Sequence, residues 1–357
     1  MDIQTSHQLQ DPAWDAFLDR IPRSHYIQSS MWAQVMAQSG WRCVRWTARE
    51  NGAILAGFQM LLRSVPLLGS IGYIARGPVI SSDDPSIIDL VLHHLLDVAR
   101  SERVLLLKLQ PPYEDDRLAD ILPDMGFLPS HAHADNVATL LIDLSKDEAT
   151  LLGDMKKSLR KGIRKATRRG ATVHQGTDDD VALFYRILQQ TSERGGFAIH
   201  DEAYYRTVWE CFASQGHAAL FFVTCENEPV ATVFVIGFGD SVFARFGGWN
   251  GKHSHCEPNS LLRWSAIQWA KQQGYRWYDF MGIDEGVACA MIQDQPLPDS
   301  GEIPGYTFFK LGFGGEIVLS PGTYDYVSHP LLARGYRWLH SNPDLYDRVL
   351  NIVRGVA

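Results

Sequence analysis

The densest chemistry in the sequence is a run of basic side chains between residues 156 and 169. The run holds eight lysine and arginine residues and no acidic residue, on a chain whose net charge is −8. Basic side chains gathered on an acidic protein are typical of a surface that binds a polyanion. Helical spacing places five of them on one face: Lys157, Lys161, Arg164, Lys165 and Arg168. The apolar Leu159, Ile163 and Ala166 face the other way.

We interpret this predicted helix as a nucleic-acid-binding surface, because phosphate contacts supply affinity without reading sequence. Two alternatives stay open. The helix could contact anionic lipid headgroups, or it could be a solvated helix without a partner.

Two pairs of histidines are candidates for metal binding. They are His131 with His133, and His253 with His255, the second pair followed by Cys256. Neither pair has a third partner at ligand spacing, so we expect loop histidines and no metal. The five cysteines are scattered without a CxxC pair, which favours reduced thiols in a cytoplasmic protein.

The elements that must position these groups occur twice. Glu50-Asn51-Gly52 and Glu226-Asn227-Glu228 each separate two apolar segments, which is typical of a β-hairpin, and the two turns are about 176 residues apart. After each hairpin the pattern predicts a strand, a helix and a buried strand. These elements cover 70–75, 85–100 and 104–109 in the first copy, and 242–247, 259–273 and 277–281 in the second.

This order of elements resembles the layout of GNAT-type acyltransferases. We therefore expect an α/β (α+β) protein of two tandem GNAT-like domains, and 357 residues suffice for two cores. Two unrelated α/β units are the alternative. The stretches 75–86 and 245–260 lack the phosphate-binding loop of acetyl-CoA enzymes, so we expect a different donor and no cofactor.

The bulk features exclude two classes of protein. The N-terminus lacks a basic segment followed by an apolar one, so no signal peptide is expected. The most apolar stretches, such as 104–109, are far shorter than the roughly 20 residues that span a bilayer. We expect a cytoplasmic protein, with the inner face of the membrane as an alternative location.

Seven motifs, in order along nearly the whole chain, resemble the Fem family of aminoacyl-tRNA-dependent transferases, which build peptidoglycan interpeptide bridges. They are Gln28-Ser-Ser-Met-Trp32 with Gly40-Trp41, Ala75-Arg76-Gly77-Pro78-Val79, the strand 139–144, the basic helix, Thr191-Ser-Glu193-Arg194, Asp279-Phe-Met-Gly282, and Phe308-Phe309-Lys310-Leu-Gly-Phe-Gly-Gly315.

The resemblance implies that Lys310 lies at the catalytic centre beside Phe309, and neutralises charge as an amine attacks the aminoacyl ester. A fixed ammonium at a developing oxyanion contributes roughly 3–4 kcal/mol. A solvated lysine on a strand edge is the alternative. The resemblance also implies substrate contacts at seven other positions: Trp32, Arg76, Gly77, Arg194, Tyr204, Phe246 and Asp279.

Three substrate positions depart from the family pattern. Gln34 and His200 stand where the family has a lysine and an arginine that grip substrate phosphate, and Gln110 stands where it has an aspartate. The lost cations suggest a different acceptor, or the same acceptor held differently. The lost carboxylate leaves a route in which the tRNA terminal hydroxyls or the acceptor amine relay the proton.

We therefore predict a GNAT-like first domain over 1–145 plus 326–357, on the acceptor side, and a second over 146–325, with the basic helix and Lys310. The predicted function is transfer of an amino acid from aminoacyl-tRNA to an amine of a nucleotide- or lipid-linked peptidoglycan precursor. The protein is expected to act as a monomer, with a peripheral membrane contact through the C-terminal run as one alternative to its packing on the first domain. The alternative functions are tRNA-dependent aminoacylation of a small metabolite, and non-catalytic binding of anionic lipid or RNA.

Overall fold

The computed structural model describes residues 1–130, 132–298 and 301–342, which form two α/β halves. The first sheet contains β1 (Asp2–Ser6), β2 (Arg42–Glu50), β3 (Ala53–Val65), β4 (Gly69–Ala75), β5 (Val79–Ile80), β6 (Val104–Gln110), β7 (Leu128–Pro129) and β15 (Tyr324–Val327). The second contains β8 (Ala138–Asp143), β9 (Thr172–Gln175), β10 (Ala218–Cys225), β11 (Glu228–Phe238), β12 (Ser241–Trp249), β13 (Trp277–Asp279) and β14 (Glu316–Leu319). The strand orders are β1-β2-β3-β4-β6-β15-β7, with β5 on β3, and β14-β8-β13-β12-β11-β10-β9.

Helices cover both sheets. They are α1 (Pro12–Asp19), α2 (Ser30–Gln38), α3 (Pro85–Ser101), α4 (Asp116–Ile121), α5 (Glu148–Asp154), α6 (Lys157–Arg168), α7 (Val181–Gly195), α8 (Glu202–Ala213), α9 (Pro258–Gln272), α10 (Glu285–Ile292), α11 (Gly305–Leu311) and α12 (Pro330–His340). Within the described ranges, none of them is both long and apolar enough to cross a bilayer.

The two halves repeat one order of elements, which confirms the predicted tandem fold. Three antiparallel strands are followed by a helix and a strand that pairs in parallel: β2-β3-β4-α3-β6 and β10-β11-β12-α9-β13. Both predicted hairpin turns are present, and their central residues have positive φ: Asn51 and Gly52 in one, Glu226 and Asn227 in the other. This backbone matches the twist of the flanking strands.

One strand, β8, belongs to the sheet opposite to the predicted one, and one predicted domain boundary is shifted by two residues. Residues 1–145 were assigned to the first domain, yet β8 pairs with β13 and β14 in the second sheet. Conversely, β15 starts before the predicted boundary at 326 and pairs with β6 in the first sheet. An alternating apolar strand fixes which of its faces is buried, but not which strand it pairs with. Residues 343–357 of the predicted first domain lie outside the described residues.

The structure has three apolar cores, one within each half and one between the halves. One lies between α3 and the first sheet, where α3 buries Ile88, Val91, Leu92 and Leu95 at the predicted helical spacing. A second lies between the second sheet and helices α6 and α9. The third lies between the two halves and contains side chains from α1, α2, α7 and α8, such as Trp14, Trp32, Phe184 and Trp209. This shared core fixes how the two halves lie against each other.

A buried glutamine joins the start of α2 to the first sheet. Gln28 Nε2 donates to the carbonyl of Ala75 at 2.7 Å, and Gln28 Oε1 accepts from the amide of Gln59 at 2.8 Å. A β-carbon at Gly77 would meet the Gln28 side chain at 3.0 Å, so glycine suits this position. The motifs at Gln28 and Gly77 therefore form one contact in the fold.

We expect Gln28→Ala to destabilise the protein by about 2–5 kcal/mol, because it leaves several buried backbone groups without partners, at about 1–3 kcal/mol each. Differential scanning fluorimetry should show a clearly lower Tm. The control is Gln38→Ala, which changes an exposed residue at the end of α2. Equal Tm values for the two variants would show that this contact does not stabilise the fold.

Candidate active site

Lys310 lies on α11, in the second half, and its side chain points at the end of β13. Its ammonium donates to the backbone carbonyls of Met281 and Gly282, both at 2.6 Å. No carboxylate among the described residues lies within ion-pair distance of its nitrogen. The residue is half-buried on a helix, so the alternative of a solvated lysine on a strand edge is wrong.

The surroundings of Lys310 weaken its hold on a proton. Burial, followed by the positive charge of Arg263, lowers the pKa of Lys310 to about 7, and the opposing charge of Asp279 only partly offsets this. Comparable populations of ammonium and amine are therefore present near neutral pH. Such a group can stabilise an oxyanion and can exchange a proton with a bound substrate.

Asp279 positions the carbonyls that hold Lys310. It is buried at the end of β13 and accepts hydrogen bonds from the Thr139 hydroxyl and, at 2.6 Å, from the amide of Met281. Met281 has a left-handed φ of 55°, and this turn directs its carbonyl to Lys310. Burial raises the pKa of Asp279 to about 6. Asp279 was predicted to bind substrate, but its contacts are those of a positioning residue.

Lys310 lies in the middle of a row of cavities. Two cavities, of about 540 and 440 Å³, meet at four shared residues: Gly247, Arg263, Tyr306 and Lys310. The larger adjoins a cavity of about 340 Å³ beside α6, through shared Trp249, Asn259 and Phe309. The smaller adjoins a cavity of about 270 Å³ at Trp32, through shared Arg245. We call these the α6 cavity, the two Lys310 cavities and the Trp32 cavity.

Several predicted site residues line these cavities. Phe309 lies between the α6 cavity and the larger Lys310 cavity, and Trp32 lines the cavity named after it. Arg194 lines the larger Lys310 cavity, where it donates to the carbonyl of Trp249 at 2.6 Å and lies 4.7 Å from the centre of its ring.

Three other predicted residues lie next to the Trp32 cavity, grouped around Arg245. Burial raises the pKa of Tyr204, and the nearby positive charge of Arg245 partly opposes this rise. The Arg245 guanidinium lies 5.0 Å from the centre of the Phe246 ring. His200 is exposed and stacks on Tyr204, with ring centres 3.9 Å apart.

The remaining predicted residues do not line the four cavities. Arg76 is buried against Asp135, with Nη2 at 3.0 Å from the carboxylate, and its guanidinium lies 3.5 Å from the centre of the Tyr113 ring. Gln110 is also buried, and its Oε1 accepts from the amide of Asp135 at 2.6 Å. Gln34 bonds to Ser30 in its own helix. Arg76 and Gln110 are therefore buried residues that support the site without lining its cavities.

Asp135 and His25 complete this buried layer. Burial raises the pKa of Asp135, but the charge of Arg76, the smaller effect of Arg245 and a backbone hydrogen bond from Asn136 act together against it, and the pKa is lowered. Burial lowers the pKa of His25 to about 3, so the histidine is neutral although its Nε2 lies 3.9 Å from the Asp135 carboxylate. Arg76 and Asp135 are thus the charged pair of this layer.

The sequence analysis missed three residues of the cavities: Arg245, Arg263 and Tyr306. Arg245 Nε and Arg263 Nη1 are buried and lack hydrogen-bond partners within the described part of the chain. Buried donors without partners are costly, so they favour a ligand that brings acceptor oxygens. An arginine within the apolar strand β12 was the available signal, since charged residues are rarely buried without a role.

The basic helix has the predicted orientation. Leu159, Ile163 and Ala166 are buried, and Gly162 lies so close to α9 that a β-carbon would meet the Ser260 hydroxyl at 2.9 Å. Lys165 forms an ion pair with Glu257 at 3.5 Å. In the described ranges, no carboxylate pairs with the other four predicted residues: Lys157, Lys161, Arg164 and Arg168. The helix starts without a side-chain cap and without an acidic residue in its first turn, which leaves its positive end uncompensated.

One expectation about the histidines is wrong. His253 and His255 were expected to lack a third partner, but the β10–β11 turn brings Glu226 within 3.5 Å of both. His133 pairs with Glu285 at 3.4 Å, and His131 lies outside the described residues.

Comparison with known proteins agrees with this fold. The sequence profile of the FemAB family matches residues 9–119, and that of the acetyltransferase (GNAT) domain matches residues 153–287. The solved structure of FemX aligns over 93% of this chain and 99% of its own, with a TM-score of 0.81 and 20% sequence identity.

Curated relatives are similar over different lengths. The lipid II:glycine glycyltransferase of Staphylococcus saprophyticus is 23% identical over 89% of this chain and 91% of its own. The Staphylococcus epidermidis enzyme of the same name is 27% identical over 60% of this chain, and the alignment spans only 55% of that enzyme.

Tandem GNAT-like halves with a half-buried lysine define an enzyme of the acyltransferase class. Within that class, residues 9–119 match the FemAB family, and the chain is similar to a lipid II:glycine glycyltransferase over most of its length.

Proposed function

We propose that the protein transfers an amino acid from an aminoacyl-tRNA to an amine of a peptidoglycan precursor. The observation that carries the proposal is the row of cavities from the basic helix α6, past Lys310, to Trp32. A polyanionic donor and a large acceptor must enter from opposite ends and meet at one reactive group. The names of the relatives make glycine the first amino acid to test and lipid II the first acceptor.

The proposed chemistry is attack of the acceptor amine on the aminoacyl ester carbonyl. A C–N bond forms, the ester C–O bond breaks, and the tRNA hydroxyl leaves with a proton that originates on the amine. The Lys310 ammonium stabilises the oxyanion of the tetrahedral intermediate. Gln110 is buried outside the cavities and carries no carboxylate, so the proton passes through the substrates themselves or through Lys310.

We further propose that Arg245 replaces the cations that are absent at positions 34 and 200. Its guanidinium lies at the junction of the Trp32 cavity and the smaller Lys310 cavity, and its Nε lacks a partner in the described ranges. Phosphate or carboxylate oxygens of the acceptor would satisfy this donor.

A lipid-linked acceptor requires contact with the membrane, and we propose one edge of the first half for this contact. The turn between β3 and β4 exposes Leu67 fully and Leu68 at 62%. The start of α12 lies at the same edge. Ser70, just after the turn, pairs with Val104, and the amide of Ser328, just before α12, donates to the carbonyl of the next residue, Leu105, at 3.1 Å.

This edge combines apolar and basic side chains. On α12, Leu332 and Trp338 are exposed at 51% and 63%. Exposed arginines lie on the same segments: Arg63 and Arg103 beside the β3–β4 turn, and Arg334 and Arg337 on α12. Apolar tips within a basic rim suit the inner, anionic face of a membrane. A protein that uses aminoacyl-tRNA would bind there from the cytoplasm.

The first test concerns Lys310. Lys310→Ala should lower the rate of glycine transfer from glycyl-tRNA to a lipid II analogue by about 100-fold or more. Product is measured by mass spectrometry, and RNA affinity serves as the control because it should stay nearly unchanged. Unchanged turnover in Lys310→Ala would refute the catalytic assignment.

The pH profile distinguishes a cation from a base at this position. The Lys310 cation is present below its pKa of about 7 and is lost above it, whereas arginine stays charged throughout. The rate of the wild type divided by that of Lys310→Arg should therefore fall as the pH rises through 7. This ratio cancels the titration of the acceptor amine, and a rising ratio would make Lys310 the proton acceptor.

The second test concerns α6. Lys161→Glu with Arg164→Glu should weaken tRNA binding and reduce the steepness of the salt dependence by roughly one unit of slope for each lost phosphate contact. Fluorescence anisotropy across a salt series measures both. The matched control reverses two exposed charges elsewhere, Arg20→Glu with Arg186→Glu. An equal loss of affinity in the control, or an unchanged salt slope, would contradict tRNA binding by this helix.

The third test concerns the membrane edge. Leu67→Asn with Leu68→Ser should lower binding to vesicles containing phosphatidylglycerol by about tenfold or more, since each buried leucine contributes about 1.5–3 kcal/mol. Asparagine suits the left-handed backbone of residue 67, whose φ is 64°. Vesicle co-sedimentation measures the effect, with the exposed Leu297→Ser as control. Equal binding by both variants would contradict the proposed contact.

A further inference from the structure

We propose that Glu226, His253 and His255 form a zinc site on the second half, separate from the proposed transfer reaction. The three ligands come from two segments that are distant in sequence. Glu226 lies in the β10–β11 turn, and the histidines lie in the loop between β12 and α9. One ligand atom of each residue lies within 4.8 Å of the other two.

The distances suit one small ion. The Glu226 carboxylate lies 3.5 Å from His253 Nδ1 and 3.1 Å from His255 Nε2. Nitrogen and oxygen ligands at about 2.0–2.2 Å from tetrahedral zinc are separated by roughly 3.3–3.6 Å from one another. Small side-chain rotations would therefore complete the coordination, with water in the fourth position.

A carboxylate already holds the far ring nitrogen of His253. The other ring nitrogen of His253, Nε2, lies 3.3 Å from the Glu228 carboxylate, and Glu228 pairs with Lys252 at 2.5 Å. A carboxylate on the far nitrogen holds the proton there and leaves Nδ1 free to bind metal. His253 is only 17% exposed, whereas Glu226 is 60% exposed, so the site is ordered on one side and open to solvent on the other.

The donor set selects the class of metal. Two imidazoles and one carboxylate favour zinc and similar transition metals over magnesium or calcium, which prefer oxygen ligands only. The buried thiols of Cys225 and Cys256 lie next to the ligands in sequence. Both thiols pack in the apolar core of the second half, and neither belongs to the ligand set.

Bound zinc would tie the β12–α9 loop to the β10–β11 turn. His253 and Glu257 both have left-handed backbone conformations, with φ of 49° and 55°. The residues that follow, from Glu257 to Ser260, line the α6 cavity. Trp249, which lines both this cavity and the larger Lys310 cavity, donates from its indole nitrogen to the carbonyl of Lys252 at 2.7 Å. The ion would thus stiffen one wall of the cavities from outside.

The test is zinc titration of the full chain after dialysis against EDTA, in competition with a chromophoric chelator. We expect one zinc per chain, with a Kd on the order of micromolar or tighter. His255→Ala and Glu226→Gln should each weaken binding by about 100-fold. Glu228→Gln should weaken it by about tenfold, because Glu228 orients the ring of His253. The matched control is His133→Ala, which removes an exposed histidine that pairs with one glutamate, Glu285, at 3.4 Å.

Two outcomes would overturn the proposal. One is a Kd far weaker than micromolar, and the other is equal affinity in His255→Ala and His133→Ala, which would indicate adventitious binding to surface imidazoles. Hydrogen exchange supplies a second readout that does not depend on the transfer reaction. Zinc should slow exchange over residues 250–257 in the wild type and not in His255→Ala. Zinc binding without this protection would refute the stiffening role.

Discussion

The site depends on one unusual interaction, an ammonium held by two backbone carbonyls without a carboxylate. The carbonyls of Met281 and Gly282 hold Lys310 at 2.6 Å but supply only partial charges, so burial still lowers its pKa. This arrangement needs exact placement of two segments. The first segment, which carries the two carbonyls, is fixed by Asp279 through the amide of Met281. The second segment, α11, is followed by Gly315, which packs closely on β8: a β-carbon there would meet the carbonyl of Leu141 at 2.4 Å.

The same elements serve different purposes in the two halves. In both, the strand that pairs in parallel after the crossover helix ends in a buried polar residue, Gln110 in β6 and Asp279 in β13. In the first half the space beyond this strand is filled by the Arg76–Asp135 pair and the ring of Tyr113. In the second half it is open and Lys310 enters it. The duplication thus supplied two frameworks, one closed as support and one left open for chemistry.

The sequence predicts the local elements of this fold well and the long-range contacts poorly. Hairpin turns, α3, α9 and the apolar face of α6 follow from periodicity and turn residues, which act over a few positions. The sheet membership of β8 depends on which edge is available, and no local pattern records that. Lys310 could be found because its motif is contiguous. Arg245, Arg263 and the contact of Glu226 with two histidines could not, because their partners lie far away in sequence.

The unpartnered arginine donors explain how a site can keep its chemistry while changing its grip on the acceptor. Arg245 Nε and Arg263 Nη1 are buried without partners in the described structure, and each missing hydrogen bond costs about 1–3 kcal/mol. An acceptor with oxygens at these points would supply the missing hydrogen bonds, while an acceptor without them would leave the two donors unpaired and bind less tightly. Discrimination of this kind is much stronger than apolar pockets provide. Both arginines adjoin Lys310 through shared cavities. In the proposed reaction, selection of the acceptor and stabilisation of the oxyanion would therefore draw on one cationic cluster.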